Sequence, residues 1–453
     1  MYIYTIFLYV LLGITGLFVL YYTPRLFAWF GSLKKQKRLV NTKKNRIAVI
    51  IPARDESKVI GDLFYSLQHQ TYDREYFDIH LALKNQNDPV IEMAKAVNGI
   101  IHIPTPQKSK AQALDGCLKA ILAKDPDKYD AYLVIDADCM LENDYLEQMN
   151  NALASGRQII QAKKIVKNYH IDNKNATSLS SNCNGLIWTM IDDMGNRFKA
   201  DHNIIGMLIG TGIMMRSDVV KQLGGFPYQS TLTEDIEFTY DCLIKKFTTF
   251  YYSYAVMYLE ESTSLEVTNK RRSRWLTGCI QSHKLYKKEV RKHIHSFHDL
   301  VNLYYVTGLV PLYYYFGFLT LFGIASLVTA VTFGLLGSSL WFGFIFNAFI
   351  CVGIIYVMFW FLSLMCLIVE RKNMPISFWK KLVLLFVHPI FYMGYIPIIA
   401  KIIVLHENKG WEVIERIDYS LTAQEPAMQV LPVEQESEYA CKNENDINNQ
   451  KQI

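Results

Sequence analysis

Two patterns of hydrophobic and polar positions divide the chain. Met1 to Pro24 carries no charged side chain, and Leu300 to Val369 contains no Asp, Glu, Lys, Arg or His. Either stretch exceeds the roughly 20 apolar residues that cross a bilayer. Apolar blocks near 304–336, 341–369 and 382–405 predict membrane helices. The first is too long for one untilted span and reads as an interfacial helix plus a span, or as two tight spans. The third holds His388-Pro389 and Ile396-Pro397, either of which can break a crossing helix into a re-entrant or interfacial element.

Between about Asn45 and Asp299 the pattern is that of a globular domain. Short β-rich runs alternate with helical stretches: Ile47–Ile51 then Lys58–His69, Phe77–Ala82 then Val90–Val97, Ile100–Ile103 then Ala111–Leu122, Ala131–Ile135 then Asn143–Leu153. Strand then helix, repeated, predicts an α/β fold with a parallel sheet covered on both faces. Ligands in such sheets sit beyond the carboxyl ends of the strands. Leu265–Lys292 follows as a basic, partly amphipathic helix expected along the membrane surface. The organisation predicted is an anchor over 1–30, a cytosolic domain over 31–275, an interfacial helical region over 276–302, membrane elements over 303–405 and a polar tail over 406–453. Lys442 to Ile453 is expected to be disordered.

Composition sharpens this picture. Over 453 residues, 51% hydrophobic content against 20% charged excludes a soluble protein, a nucleic-acid binder or a disordered chain. The net charge of +5 is modest, and its basic residues gather beside apolar segments: Lys34, Lys35, Lys37, Arg38, Lys43, Lys44 and Arg46 after the first, Arg371, Lys372, Lys380 and Lys381 in the loop 370–381. Positive charge marks the cytoplasmic side. The chain is therefore expected to be a multi-pass plasma-membrane protein with Met1 outside, the domain and loop 370–381 inside, and membrane lipids as partners. The amino terminus lacks a basic leader and a small-residue cleavage site, which favours an uncleaved anchor. Eight scattered cysteines without a Cys-x-x-Cys pair give neither a zinc site nor a disulfide framework. His293, His295 and His298 cluster beyond the amphipathic stretch without a carboxylate pattern and are read as headgroup-level residues.

Four short motifs carry candidate chemistry. Ile51-Pro52-Ala53-Arg54-Asp55-Glu56 closes the first strand. Asp136-Ala137-Asp138 follows the fourth, and alternation in an extended segment would aim both carboxylates one way as oxygen ligands for a hard cation. Leu232-Thr233-Glu234-Asp235 opens a helix, an arrangement that capping alone would also favour. Arg271-Arg272-Ser273-Arg274-Trp275 stands in the basic stretch, where headgroup anchoring would place the same residue types.

In this order, between an anchor and later spans, the four resemble the membrane-integrated family 2 glycosyltransferases, which include cellulose, chitin, hyaluronan and poly-N-acetylglucosamine synthases, with ceramide glucosyltransferase-like proteins as more distant relatives. Lys110-Ala111-Gln112-Ala113-Leu114 resembles the family's Lys-x-x-Ala-Leu helix start, and Gly210-Thr211-Gly212 its acceptor-side glycine turn. The resemblance implies a GT-A type, Rossmann-like domain and inverting transfer from a nucleotide-sugar, UDP-sugar by class. It implies donor contacts from Ala53, Glu56, Asp88, Lys110, Asp136, Arg271 and Arg274, and Mg2+ or Mn2+ held by Asp138 with Asp136. Asp235, beside Glu234, becomes the base, and Trp275 and Gly212 face a carbohydrate or lipid-linked acceptor.

Two positions depart from that pattern. Arg271 stands where the synthases usually carry Gln, as ceramide glucosyltransferase-like proteins tolerate. Lys84 stands where relatives often carry an acid. Three functions therefore stay open: synthesis of a cell-surface or extracellular polysaccharide, transfer of one sugar to a lipid or short glycan, and a non-catalytic membrane scaffold or transporter. Lys409-Gly410-Trp411-Glu412-Val413-Ile414-Glu415-Arg416 resembles the Trp-containing segment that follows the last membrane element in several synthases, which favours the first.

Overall fold

The computed structural model describes residues 2–170 and 177–404; the tail and the Trp411 segment lie outside the described residues. Helix α1 (Tyr2–Gly31) leads into the alternation that the sequence predicts: β1 (Ile47–Ala53), α2 (Ile60–Gln68), β2 (Phe77–Leu83), α3 (Val90–Lys95), β3 (Ile100–His102), α4 (Lys110–Lys124) and β4 (Ala131–Val134). After β5 (Met140–Leu141) come α5 (Tyr145–Ala154), β6 (Ile159–Val166), α6 (Leu179–Thr189), a π-helical turn over Met190–Met194, and α7 (Gly195–Asp201). Then follow β7 (Ile213–Arg216), α8 (Ser217–Leu223), α9 (Glu234–Lys245) and β8 (Thr249–Leu259).

The eight strands form one sheet in the order β3-β2-β1-β4-β7-β6-β8-β5. Its first four strands are parallel, as expected. The expectation of a wholly parallel sheet does not hold beyond them. Strand β7 runs antiparallel to both β4 and β6, with Val134 opposite Ile213 and Gln161 opposite Ile213 on its other side. No helical crossover joins β7 to a parallel neighbour, and an antiparallel pair needs none.

Alternate residues of the central strands feed two cores. Val49, Ile51 and Leu133 pack with Leu63 and Phe64 of α2 and Met149 of α5, while Ala48, Ile50, Tyr132 and Val134 pack with Leu114 and Leu118 of α4 and Phe238 of α9. Both faces are covered, which is why these strands read as near-continuous apolar runs rather than alternating ones.

The 28-residue helix α10 (Leu265–Lys292) begins at Ser264, whose side chain accepts the Val267 N–H. It packs against α9 and, through its first turns, against the last helix of the membrane part. It runs unbroken through residue 275. Next come α11 (Phe297–Val306), α12 (Leu309–Leu335), α13 (Trp341–Glu370), α14 (Phe378–Met393) and α15 (Tyr395–Val404). The first apolar block is thus one short helix plus one long one. Pro389 is carried inside α14, and the break between α14 and α15 falls at Gly394 instead; Pro397 sits in the first turn of α15, where no N–H is needed. Four stretches of the described residues are long and apolar enough to cross a membrane: Tyr2–Gly31, Val310–Leu335, Trp341–Glu370 and Phe378–Ile402.

Candidate active site

The parallel strands β1, β2 and β4 end on one edge of the sheet, and the first three motifs meet there. Ala53 is the last residue of β1, and the Glu56 carbonyl accepts the N–H groups of Val59 and Ile60 at 3.1 Å to start the turn into α2. Asp88, beyond β2, is buried; Oδ1 accepts the Val90 N–H at 3.0 Å, and Oδ2 has no partner among the described residues. Asp136 follows β4. The segment Asp136–Cys139 is a turn closed by the Cys139 N–H on the Asp136 carbonyl at 3.2 Å, so the expected extended alternation of Asp136 and Asp138 is corrected. Their carboxylates still act on one another electrostatically.

Lys110 reaches this edge because Ser109 caps α4, its side chain accepting the Gln112 N–H. Its Nζ lies 2.5 Å from Asp136 Oδ1, 2.5 Å from the Gly210 carbonyl and 3.7 Å from Glu234 Oε1. Helix α9 points its amino terminus at the same spot. Asp235 Oδ2 accepts the Gly210 N–H at 2.7 Å and Oδ1 the Ile236 N–H at 2.8 Å. The side chains of Lys110 and Asp136 are 26% and 35% exposed, so the cluster is open to a ligand.

The turn carrying Gly210 is fixed from behind. Gln161 of β6 accepts the Ile209 N–H and donates to the Thr211 carbonyl, each at 2.8 Å, and Thr211 Oγ1 accepts the Asp136 N–H at 2.9 Å. Gly212 is enclosed between strands. Its φ is +68°, its N–H and C=O pair with Val134 and Ala162 at 2.8 and 2.9 Å, and a Cβ there would meet Met257 Sδ at 2.5 Å. Gly210 is the glycine beside the acids, a placement that spacing alone does not distinguish. Helix α10 crosses α9 closely at Gly278, where a Cβ would collide with Thr233 at 2.4 Å.

Electrostatics bind these groups into one unit. Burial raises the pKa of Asp136, Glu234 and Asp235, with Lys110 opposing in each case. Burial alone would lower Lys110, but Asp136 and Glu234 outweigh it and hold the ammonium above the ordinary lysine range. Arg274 is lowered by burial and pulled back by Glu234, Asp235 and Asp136; its Nε has no partner among the described residues. Arg271 is placed differently from the expectation. Its guanidinium is committed to Glu261 in a two-bond pair at 2.9 and 3.2 Å and lies over Trp275, 5.1 Å from the ring centroid. Glu261 was not singled out by its sequence, although it closely follows the carboxyl end of β8, where a site residue is expected.

Residues 45–278 match the family described as glycosyltransferase like family 2. The chain belongs to this family. It is an enzyme, and the non-catalytic alternative is set aside. Among solved structures, this glycosyltransferase is similar to the mannosyltransferase PcManGT from Pyrobaculum calidifontis in complex with GDP-Man and Mn2+, at 13% identity and TM-score 0.49, over 84% of this chain and 97% of that one. It is also similar to S. aureus TarS 1-349 in complex with UDP-GlcNAc, at 13% identity and TM-score 0.39, over 82% and 95%. Comparison with curated proteins gives no match.

Proposed function

We propose that the enzyme moves a sugar, with inversion, from a UDP-sugar to an acceptor hydroxyl at the cytoplasmic face of the plasma membrane, building a cell-surface or extracellular polysaccharide. The observation that carries this reading is the convergence of Asp235 with Lys110, Asp136 and Glu234 on the sheet edge where the strand ends collect. Asp235 acts as the base for the acceptor proton. Ala53, Glu56 and Asp88 hold the nucleoside, the spare Asp88 oxygen being its hydrogen-bond acceptor. Lys110 and Arg274 meet the diphosphate, and the indole of Trp275 receives the acceptor.

A divalent cation fits the residues present. Asp136 and Asp138 lie close enough to act on one another, with Glu234 beside Asp136, an oxygen-rich set of the kind a hard divalent cation takes. Among the described residues no three His, Cys, Asp or Glu side chains form a closed metal cage. Asp138 with Asp136 would supply the protein ligands to Mg2+ or Mn2+, with phosphate oxygens from the donor completing the shell. When bound, the ion stabilises charge on the departing diphosphate.

Incubating membranes that contain the protein with a panel of UDP-sugars and sizing the product tests the reading. A polymer that disappears in Asp138→Asn, with the variant still inserted and folded, is expected. A single-sugar adduct would favour transfer to a lipid or short glycan, the reading that Arg271 in place of Gln supports. Near-normal transfer by Asp138→Asn, or by the parent without a divalent cation, would remove the metal assignment.

A further inference from the structure

The surroundings of Trp275 are built around a single carboxylate. Glu261, whose side chain is fully buried, accepts Arg271 Nη1 on Oε2 at 2.9 Å. Its Oε1 accepts Arg271 Nη2 at 3.2 Å and Trp188 Nε1 at 2.8 Å. The Glu261 backbone is clamped in turn by Asn168, which accepts its N–H at 2.8 Å and donates to its carbonyl at 2.9 Å. The two side chains that Glu261 holds are the two that frame the indole. Arg271 lies over Trp275, and Trp188 of α6 meets it edge to face, with centroids 5.9 Å apart and planes at 71°.

Burying a carboxylate costs free energy that a well-packed apolar residue would not incur, so packing alone does not account for Glu261. What the charge supplies is direction. A bidentate guanidinium is fixed in plane and distance, and the Trp188 N–H fixes the second ring. Arg271 takes one side of Trp275 and Trp188 an edge, and the indole, packed in part on the core of the sheet, keeps only part of its surface exposed, where a ligand could reach it. The negative face of an aromatic ring favours the C–H groups of a sugar ring.

We infer that Glu261 is the positioning residue of the acceptor site, holding Arg271 and Trp188 so that Trp275 presents its exposed surface to a pyranose ring. Arg271 thereby serves the acceptor and not the donor diphosphate. The inference rests on the proposed function, in which Trp275 receives the acceptor, and names a carbohydrate as what it receives.

The test uses the full chain in detergent micelles. Cellopentaose and chitopentaose serve as probes, followed by tryptophan fluorescence, and UDP with Mg2+ is titrated by calorimetry. At least one pentasaccharide should change the emission of the parent. Glu261→Gln should weaken that binding by about tenfold, equivalent to about 1.4 kcal/mol, while UDP affinity stays within about twofold. Adding Arg271→Gln to Glu261→Gln should cost little beyond Glu261→Gln alone, because the two residues act through one contact. Trp188→Phe keeps a ring and deletes only the N–H, and should shift pentasaccharide affinity the same way by a smaller factor even if Glu261→Gln does not fold. Unchanged pentasaccharide affinity in Glu261→Gln or in Trp188→Phe overturns the inference. So does a parallel fall in UDP affinity, or a parent that responds to neither pentasaccharide. A parent that fails to bind UDP would instead defeat the proposed function itself.

Discussion

Asp235 is held by two accepted hydrogen bonds, from Gly210 at 2.7 Å and Ile236 at 2.8 Å, which favour its ionised form, while burial favours the neutral one. Burial wins, and the carboxylate is left more basic than a solvated aspartate, which suits the base proposed for the acceptor hydroxyl. Asp235→Asn keeps an oxygen for the Gly210 N–H but no basic site. Transfer is expected to fall by about 10²–10⁴ while UDP affinity holds; if calorimetry shows UDP affinity vanishing as well, Asp235 belongs to the donor site. Titration matters at His80 too, outside the site. Its Nδ1 lies 2.9 Å from His102 Nε2 and its Nε2 2.9 Å from the Tyr129 hydroxyl. Burial, with His102 second, pushes its pKa down to about 3 from an ordinary 6.5. Between those values the unfolded chain binds a proton that the folded one refuses. The stability is therefore intact above about pH 6.5 and lost as pH falls toward 3, at up to about 1.4 kcal/mol per pH unit. His80→Gln should flatten the drop in melting temperature between pH 7 and 5; an equally steep drop would mean that other groups set the acid limit.

Strand β6 shows what an element owes to charges that patterning does not reveal. All eight of its residues are buried, including Lys163 and Lys164. Lys163 pairs with Asp193 at 2.7 Å and with Glu370 at 3.2 Å, and Lys164 with Asp192 at 3.0 Å. Asp193 also accepts from Tyr251 at 2.7 Å and from Arg197. Asp193→Ala leaves buried cations short of their partner and is expected to cost about 3–5 kcal/mol. Asp218→Ala, which breaks an exposed pair with Arg216, should cost about 1 kcal/mol or less. Thermal unfolding of the two variants in detergent compares them, and equal costs would contradict the account of β6. The first half of the sheet was legible because its strands and helices carry distinct periodicities, from Ile47 to Ala154. The Asp-x-Asp and Thr-Glu-Asp segments were legible because motif order is itself a signal. Three features were not. The bend at Asp136–Cys139 depends on a closing hydrogen bond, the commitment of Arg271 depends on Glu261 across the α10 entry, and the Lys163 pairs join residues that only tertiary packing brings together.

For the whole molecule, the question that geometry narrows is which side of the membrane each segment occupies. The chain leaves the catalytic domain through α11, which is tied to the end of α1: the Tyr304 hydroxyl donates to the Tyr21 carbonyl at 2.6 Å and the Arg25 guanidinium lies 3.8 Å from the Tyr304 ring centroid. Two helices of spanning length follow, and the second, α13, ends at Glu370, back on Lys163 of the domain. On the proposed topology both cross, so the excursion returns to the side it left and loop 370–381 shares a side with the glycosyltransferase domain, in keeping with the Glu370–Lys163 contact. The proposed function puts that side in the cytoplasm, a reading supported by Arg371, Lys372, Lys380 and Lys381 and by the basic run from Lys34 to Arg46. An impermeant maleimide should then label Lys43→Cys and Lys372→Cys only after the inner face is opened, and label Ser338→Cys, in the turn between α12 and α13, from outside intact cells. Labelling of Lys43→Cys from outside would invert the orientation and cut the active site off from cytosolic nucleotide-sugars. Labelling of Lys43→Cys and Lys372→Cys from opposite faces would contradict the Glu370–Lys163 contact itself, because no even number of crossings could then join the two.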